Sequence, residues 1–187
     1  MKPLMLITAL ATLLSGCVRM VETRVNTTGG GAGMPPGTYI LAPAEKALSP
    51  ELDQAQQIVA GHLATKNFIP SPTGELYLQV TASSRPAELA LATAKDSKPV
   101  TLSAAHKKRP SSKCVNSEYR IGVSLTRIAD GTLAYQGSAA ETHCKIAFAQ
   151  AMPALVDAAL GDLHLPTGIA GREGRYVLKR KLEKPKN

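Results

Sequence analysis

Tryptophan is missing from this 187-residue chain, and all aromatic residues together make up only 4% of it. A core must therefore be assembled from Leu, Val, Ile and Ala, with few large anchors. No uninterrupted apolar stretch reaches the roughly 20 residues that a permanent membrane-crossing helix needs. Cysteine is scarce, with three residues and no Cys-x-x-Cys spacing, which argues against a redox or metal pair. The four histidines, His62, His106, His143 and His164, are scattered. His143 adjoins Cys144, but a zinc site draws three or four ligands at recognisable spacing, so no metal is expected. Ser83-Ser84 and Ser111-Ser112 lie in turn-like contexts without a nucleophile elbow. Gly29-Gly30-Gly31 lacks the strand–loop–helix setting of a phosphate loop. No paired carboxylates suggest acid–base chemistry. No catalytic residue and no cofactor is nominated, and a non-enzymatic protein is expected.

Positive charge, by contrast, is abundant. The formal net charge is +8, and it is unevenly placed. Residues 95–113 hold six cations, including Lys107, Lys108 and Arg109, against Asp96. Residues 171–187 hold seven, including Arg175, Lys179, Arg180 and Lys181, against Glu173 and Glu183. The rest of the chain is close to neutral or slightly acidic. A basic loop and a basic tail on a body that is not basic suggest attraction to an anionic surface. The tail, residues 166–187, reads either as a solvated terminus or as an arm meeting anionic lipid, lipopolysaccharide phosphates or acidic cell wall.

Residues 1–17 read MKPLMLITALATLLSGC. One cation precedes an apolar run from Leu4 to Leu14, and small residues follow, which is the layout of a secretory signal peptide. Leu14-Ser15-Gly16-Cys17 resembles the bacterial lipobox. The resemblance implies removal of residues 1–16, lipid on the Cys17 sulfur and acylation of its new amino group. Val18 stands where an Asp commonly marks inner-membrane retention, so the resemblance favours the outer membrane, facing the periplasm. Nucleic acid is then not an expected partner. Residues 17–37, with Gly29-Gly30-Gly31-Ala32-Gly33 and Pro35-Pro36-Gly37, read as a flexible lipidated tether.

The domain is expected over 38–165. Thr38-Tyr39-Ile40-Leu41 reads as a strand. Ser49, Pro50, Glu51 and Asp53 form a helix start, and Leu52, Ala55, Val59, His62 and Leu63 recur at helical spacing, with Ile58 beside them. The helix should reach about Lys66. Residues 74–82 alternate, with Leu76, Leu78 and Val80 on one face. A hairpin follows, Tyr119–Ile128 and a return through Leu133, Tyr135, Gly137 and Ala139, joined at Asp130-Gly131. Ile146–Leu160 carries Phe148, Met152, Leu155, Val156 and Ala159 at helical spacing, and Pro153 either kinks that helix or begins it. Residues 83–113 show no period and read as a long exposed loop, with Leu89–Ala92 as a candidate short helix. The order β-α-β-β-β-α predicts an α+β two-layer sandwich, an antiparallel sheet of about four strands with both helices on one face.

Cys114 precedes the third strand and Cys144 follows the fourth. The hairpin brings its open ends together, so the two should form a disulfide, with a small register mismatch absorbed by a bulge or fraying end. The ordered set of lipobox, Tyr39-Ile40-Leu41, Asn67-Phe68, Glu75-Leu76-Tyr77-Leu78-Gln79-Val80, Tyr119-Arg120-Ile121-Gly122-Val123, Asp130-Gly131 and Tyr135-Gln136-Gly137-Ser138-Ala139 resembles the DUF4136-type bacterial lipoproteins over roughly residues 38–162. That resemblance implies an α/β sandwich and no particular activity; the long loop and the basic tail depart from its pattern. The expectation is a membrane-anchored binding or support module of the cell envelope. The alternatives are an auxiliary lipoprotein subunit of a transport or secretion complex and, from another class, a cryptic enzyme.

Overall fold

The computed structural model describes residues 20–29, 34–42, 49–95, 98–103, 105, 114–161, 163 and 174–181. The signal segment 1–16 and Cys17 lie outside them. The structure is α+β. A mixed seven-stranded sheet carries two helices on one face, with a separate two-stranded hairpin. The strands in chain order are β1 Met20–Gly29, β2 Thr38–Leu41, β3 Ile69–Pro70, β4 Leu76–Pro86, β5 Leu91–Lys95, β6 Lys98–Ser103, β7 Ser117–Arg127, β8 Leu133–His143 and β9 Gly174–Lys181. The helices are α1 Pro50–Thr65 and α2 Phe148–Leu160. The main sheet runs β3-β2-β4-β7-β8-β1-β9, and β5-β6 form the hairpin.

The helix start at Ser49 is as expected. Its hydroxyl accepts from the Leu52 amide at 3.2 Å, and Pro50 opens the helix. At the other end the Phe68 amide bonds the Leu63 carbonyl and the Asn67 amide bonds the Ala64 carbonyl, both at 3.0 Å. This double closure needs a left-handed residue at Asn67, whose φ is 62°. It turns the chain so that Phe68, 1% exposed, enters the core beside Leu63. α1 then acts as a crossover, so β2 and β4 run parallel, with Tyr39 opposite Leu76 and Leu41 opposite Leu78. The sheet is thus mixed rather than purely antiparallel, and larger than four strands.

The β7–β8 hairpin stands where the alternation put it, with Tyr119 opposite Glu141 and Ile121 opposite Ala139. Its register shifts between Leu125 and Thr126. The connection is longer than a two-residue turn: the Arg127 amide reaches the Thr132 carbonyl at 2.8 Å, and Gly131 alone takes the positive φ. Tyr119, Ile121, Val123 and Leu125 face the helices with Tyr135 and Ala139. Gly137 lies so close to the Ala159 carbonyl that a Cβ there would collide with it. α2 therefore approaches β8 at backbone distance, and Pro153 sits within the helix. The Gln150 side chain accepts from the Ala147 amide at 3.2 Å and closes the helix start.

Three expectations are corrected. Residues 17–37 are not wholly a tether, because β1 occupies 20–29 and lies between β8 and β9. Val21, Thr23, Val25 and Thr27 alternate inward and are buried; β-branched threonines suit a pleated strand, and pairing on both edges satisfies the backbone. The tail 166–187 is not simply a solvated arm. Its segment β9 pairs along β1, Met20 opposite Lys181 through Thr27 opposite Gly174. The loop 83–113 contains the end of β4 and the β5–β6 hairpin, and Leu91–Lys95 is strand rather than part of a short helix.

Candidate functional site

Five strands finish at one end of the sheet. Pro86 of β4 faces Ser117 of β7, Ser117 faces His143 of β8, and Met20 of β1 faces Lys181 of β9. The Cys114–Cys144 disulfide closes this end, with Cα atoms 5.7 Å apart, as the hairpin geometry requires. Two polar clusters lie beside it, one on each face of the sheet.

On the helix-covered face, Glu141 and His143 of β8 are buried. Thr23 donates to Glu141, and His143 Nε2 lies 2.7 Å from Glu141 Oε2. Tyr119 stacks between His143 and Phe148, with ring centroids 5.6 and 4.9 Å away, and its hydroxyl donates to the Ile146 carbonyl at 2.8 Å. A His–carboxylate pair invites an acid–base reading. Here the ring and the carboxylate are both nearly inaccessible and lie under aromatic packing, so a substrate has no approach to either. The bond from Thr23 to Glu141 ties β1 to β8 across the sheet, and His143 holds the carboxylate from the same strand.

On the face left open among the described residues, Glu118 of β7 is 1% exposed although no described helix covers it. Three guanidinium groups do. Arg24 reaches it from β1; Arg85 reaches it from β4 with Nε at 3.1 Å and Nη2 at 2.9 Å; Arg120 stands at 3.4 Å on the same strand. Burial by itself would push the Glu118 carboxyl up; the hydrogen bonds and charges of Arg24 and Arg85 outweigh that and hold it below the usual carboxylate range. One carboxylate against three guanidiniums leaves the cluster cationic. Arg24 and Arg120 remain about 40% exposed.

Of the basic residues singled out in the sequence, Arg175, Lys179 and Lys181 are exposed on β9. Arg180 lies in the same strand, opposite Val21. Lys179 stands 3.6 Å from Glu22, with both side chains about two-thirds exposed. Lys107, Lys108 and Arg109 lie outside the described residues. Sequence reading missed Glu118 with its three arginines, and it missed Glu141. Their only linear signal is an acid inside an otherwise alternating strand.

At the opposite end of the sheet, Met34, Pro36, Gly37, Leu76 and Ala129 line an open cleft of about 450 Å³ with Glu75 and Arg127 at its edge. Among the described residues no group of three or more His, Cys, Asp or Glu side chains is placed to hold a metal ion. No described helix is long and apolar enough to cross a membrane.

The class these features define is an α+β domain with one helix-packed face and one open, partly cationic face. No family model and no curated protein matches the chain. Solved structures do. A PDZ domain protein from Parabacteroides distasonis aligns at 10% identity and a TM-score of 0.52, over 87% of this chain and 39% of that one. At that identity the likeness concerns the fold alone. Two PelC dodecamer structures from Paraburkholderia phytofirmans align at 13% and 11% identity, with TM-scores of 0.49 and 0.47, each over 76% of this chain and 97% of the other. A likeness at that level bears on neither assembly nor ligand.

Proposed function

We propose that the chain is a non-enzymatic, lipid-anchored module of the bacterial cell envelope, held at the periplasmic face of the outer membrane, where it binds or supports an anionic partner. The observation that carries this reading is the signal core ending in Leu14-Ser15-Gly16-Cys17. Two features of the fold support it. The disulfide suits an oxidising compartment. The open face concentrates arginine and lysine around a single buried carboxylate, which suits an anionic surface better than an apolar one. The buried Thr23–Glu141–His143 cluster is a structural tie, and no residue is assigned a catalytic role.

The test is at the anchor. Cys17→Ser should move nearly all of the protein from the membrane to the soluble fraction of its native host and abolish palmitate incorporation. Retention on the membrane without the cysteine defeats the proposal.

A second reading, an auxiliary subunit of an envelope transport or secretion complex, is favoured by the open cleft at the far end of the sheet. Crosslinking in intact cells separates the two. A stoichiometric protein complex favours the subunit, and capture of lipid or glycan favours the binding module.

A further inference from the structure

We infer that the anchor end of the open sheet face lies directly against an anionic bilayer, with Lys179 and Lys181 at the headgroups. The inference rests on the proposed lipidation of Cys17 and adds to it an orientation and a lipid class. The first argument is length. Met20 opens β1 only three peptide links after Cys17, so its Cα lies at most about 11 Å from the lipid-bearing residue. β1 itself has ten residues and runs about 30 Å away from that point. The end of the sheet holding Met20 and Lys181 is therefore leashed close to the membrane, while the end with the cleft is not.

The second argument is where charge sits along the open face. Strand pairing places Lys181 opposite Met20, Lys179 opposite Glu22, Arg85 opposite Glu118 and Arg120 opposite Ala140. With Arg24, these five cations occupy the anchor half of the face against two carboxylates, Glu22 and Glu118. Toward the other end the face carries Gln79, Ser124, Thr126 and Gln136, and Arg175 stands opposite Asn26 near the middle. The Lys179–Glu22 pair is exposed to water and does not neutralise the patch. Exposed apolar side chains do not distinguish the ends, because Met20 and Val115 stand at one while Ile69, Ile128 and Leu133 stand at the other. Tether length and charge do distinguish them, and they choose the same end.

The contact is electrostatic at short range, so it requires anionic headgroups and weakens as salt shortens the Debye length to about 3 Å at 1 M. The test uses the lipidated full-length protein in vesicles of phosphatidylcholine alone or mixed with phosphatidylglycerol. Lysines are acylated with a water-soluble reagent and read by mass spectrometry, and intact mass on the same sample reports lipid on Cys17. On the mixed vesicles labelling of Lys179 and Lys181 should fall about fivefold, given the strength of a cation at an anionic surface. Lys66, at the far end after α1, should label equally on both. High salt should restore the labelling. Lipidated protein whose Lys179 and Lys181 label equally on the two vesicles overturns the orientation and leaves the proposed function standing. Protection centred on Lys66 does the same. An unlipidated Cys17 removes the leash and brings down both.

Discussion

Glu118 is the residue on which the open face turns. Its carboxylate fixes three guanidinium groups from three strands, and without it Arg24, Arg85 and Arg120 would repel one another. Because its folded-state pKa lies below the ordinary carboxylate value, its stabilisation is fully present above the unfolded pKa of about 4.3 and is lost as pH falls through the folded value. Glu118→Gln should lower stability near neutral pH by about 1–3 kcal/mol, since charge-assisted hydrogen bonds are replaced by weaker ones. The variant should also lose stability less steeply than the parent below about pH 4. Chemical denaturation across pH measures both; parallel acid limbs for the two proteins would show that the carboxylate is not held as described. Glu141 sits on the other face with Thr23 and His143 and is likewise invisible to any pattern of hydrophobicity, since each acid owes its place to partners on other strands.

At the scale of elements, β1 decides how the chain is organised. It is an inner strand between β8 and β9, so it supplies hydrogen bonds to two neighbours and buries Val21 and Val25. Deleting residues 18–29 should abolish the cooperative thermal transition, as seen by circular dichroism, because β8 and β9 then both lose the strand between them. A tether would be removable with the melting temperature unchanged, and that outcome would refute the strand. The disulfide belongs to this scale as well. It links the open ends of β7 and β8 across a sequence separation of 30. Cys114→Ser with Cys144→Ser should cost roughly 3–4 kcal/mol, the loop-closure entropy of a segment that long. Calorimetry of the double variant checks it, and a loss below about 1 kcal/mol would mean the hairpin alone holds those ends in the unfolded chain.

For the whole molecule the division is between two faces and two ends. One face is filled by α1 and α2, and its core includes Phe68, Tyr135 and Leu155, all nearly inaccessible. The other is open among the described residues, and its cations crowd the end where β1 begins. Under the proposed lipidation of Cys17, a lipid three links before β1 would make this asymmetry directional, turning the charged end toward the membrane and the cleft away from it.

Elements with a local cause are legible in the order of residues alone. α1 follows from the Ser49-Pro50 start and the apolar stripe of Ala55, Val59 and Leu63. The hairpin follows from alternation on both sides of Asp130-Gly131, and the Cys114–Cys144 pairing follows from that hairpin. The fate of residues 20–29 and 174–181 was set by pairing across the sheet. One contains a threonine-rich polar run that leads into glycines, and the other reads as a basic tail. The first becomes strand by pairing with β8 and the second, from the far side of the chain, by pairing with the first. A β-strand's hydrogen bonds are satisfied by a partner rather than by its own neighbours in sequence. A segment without a strong apolar period therefore carries no sign of the pairing that will order it.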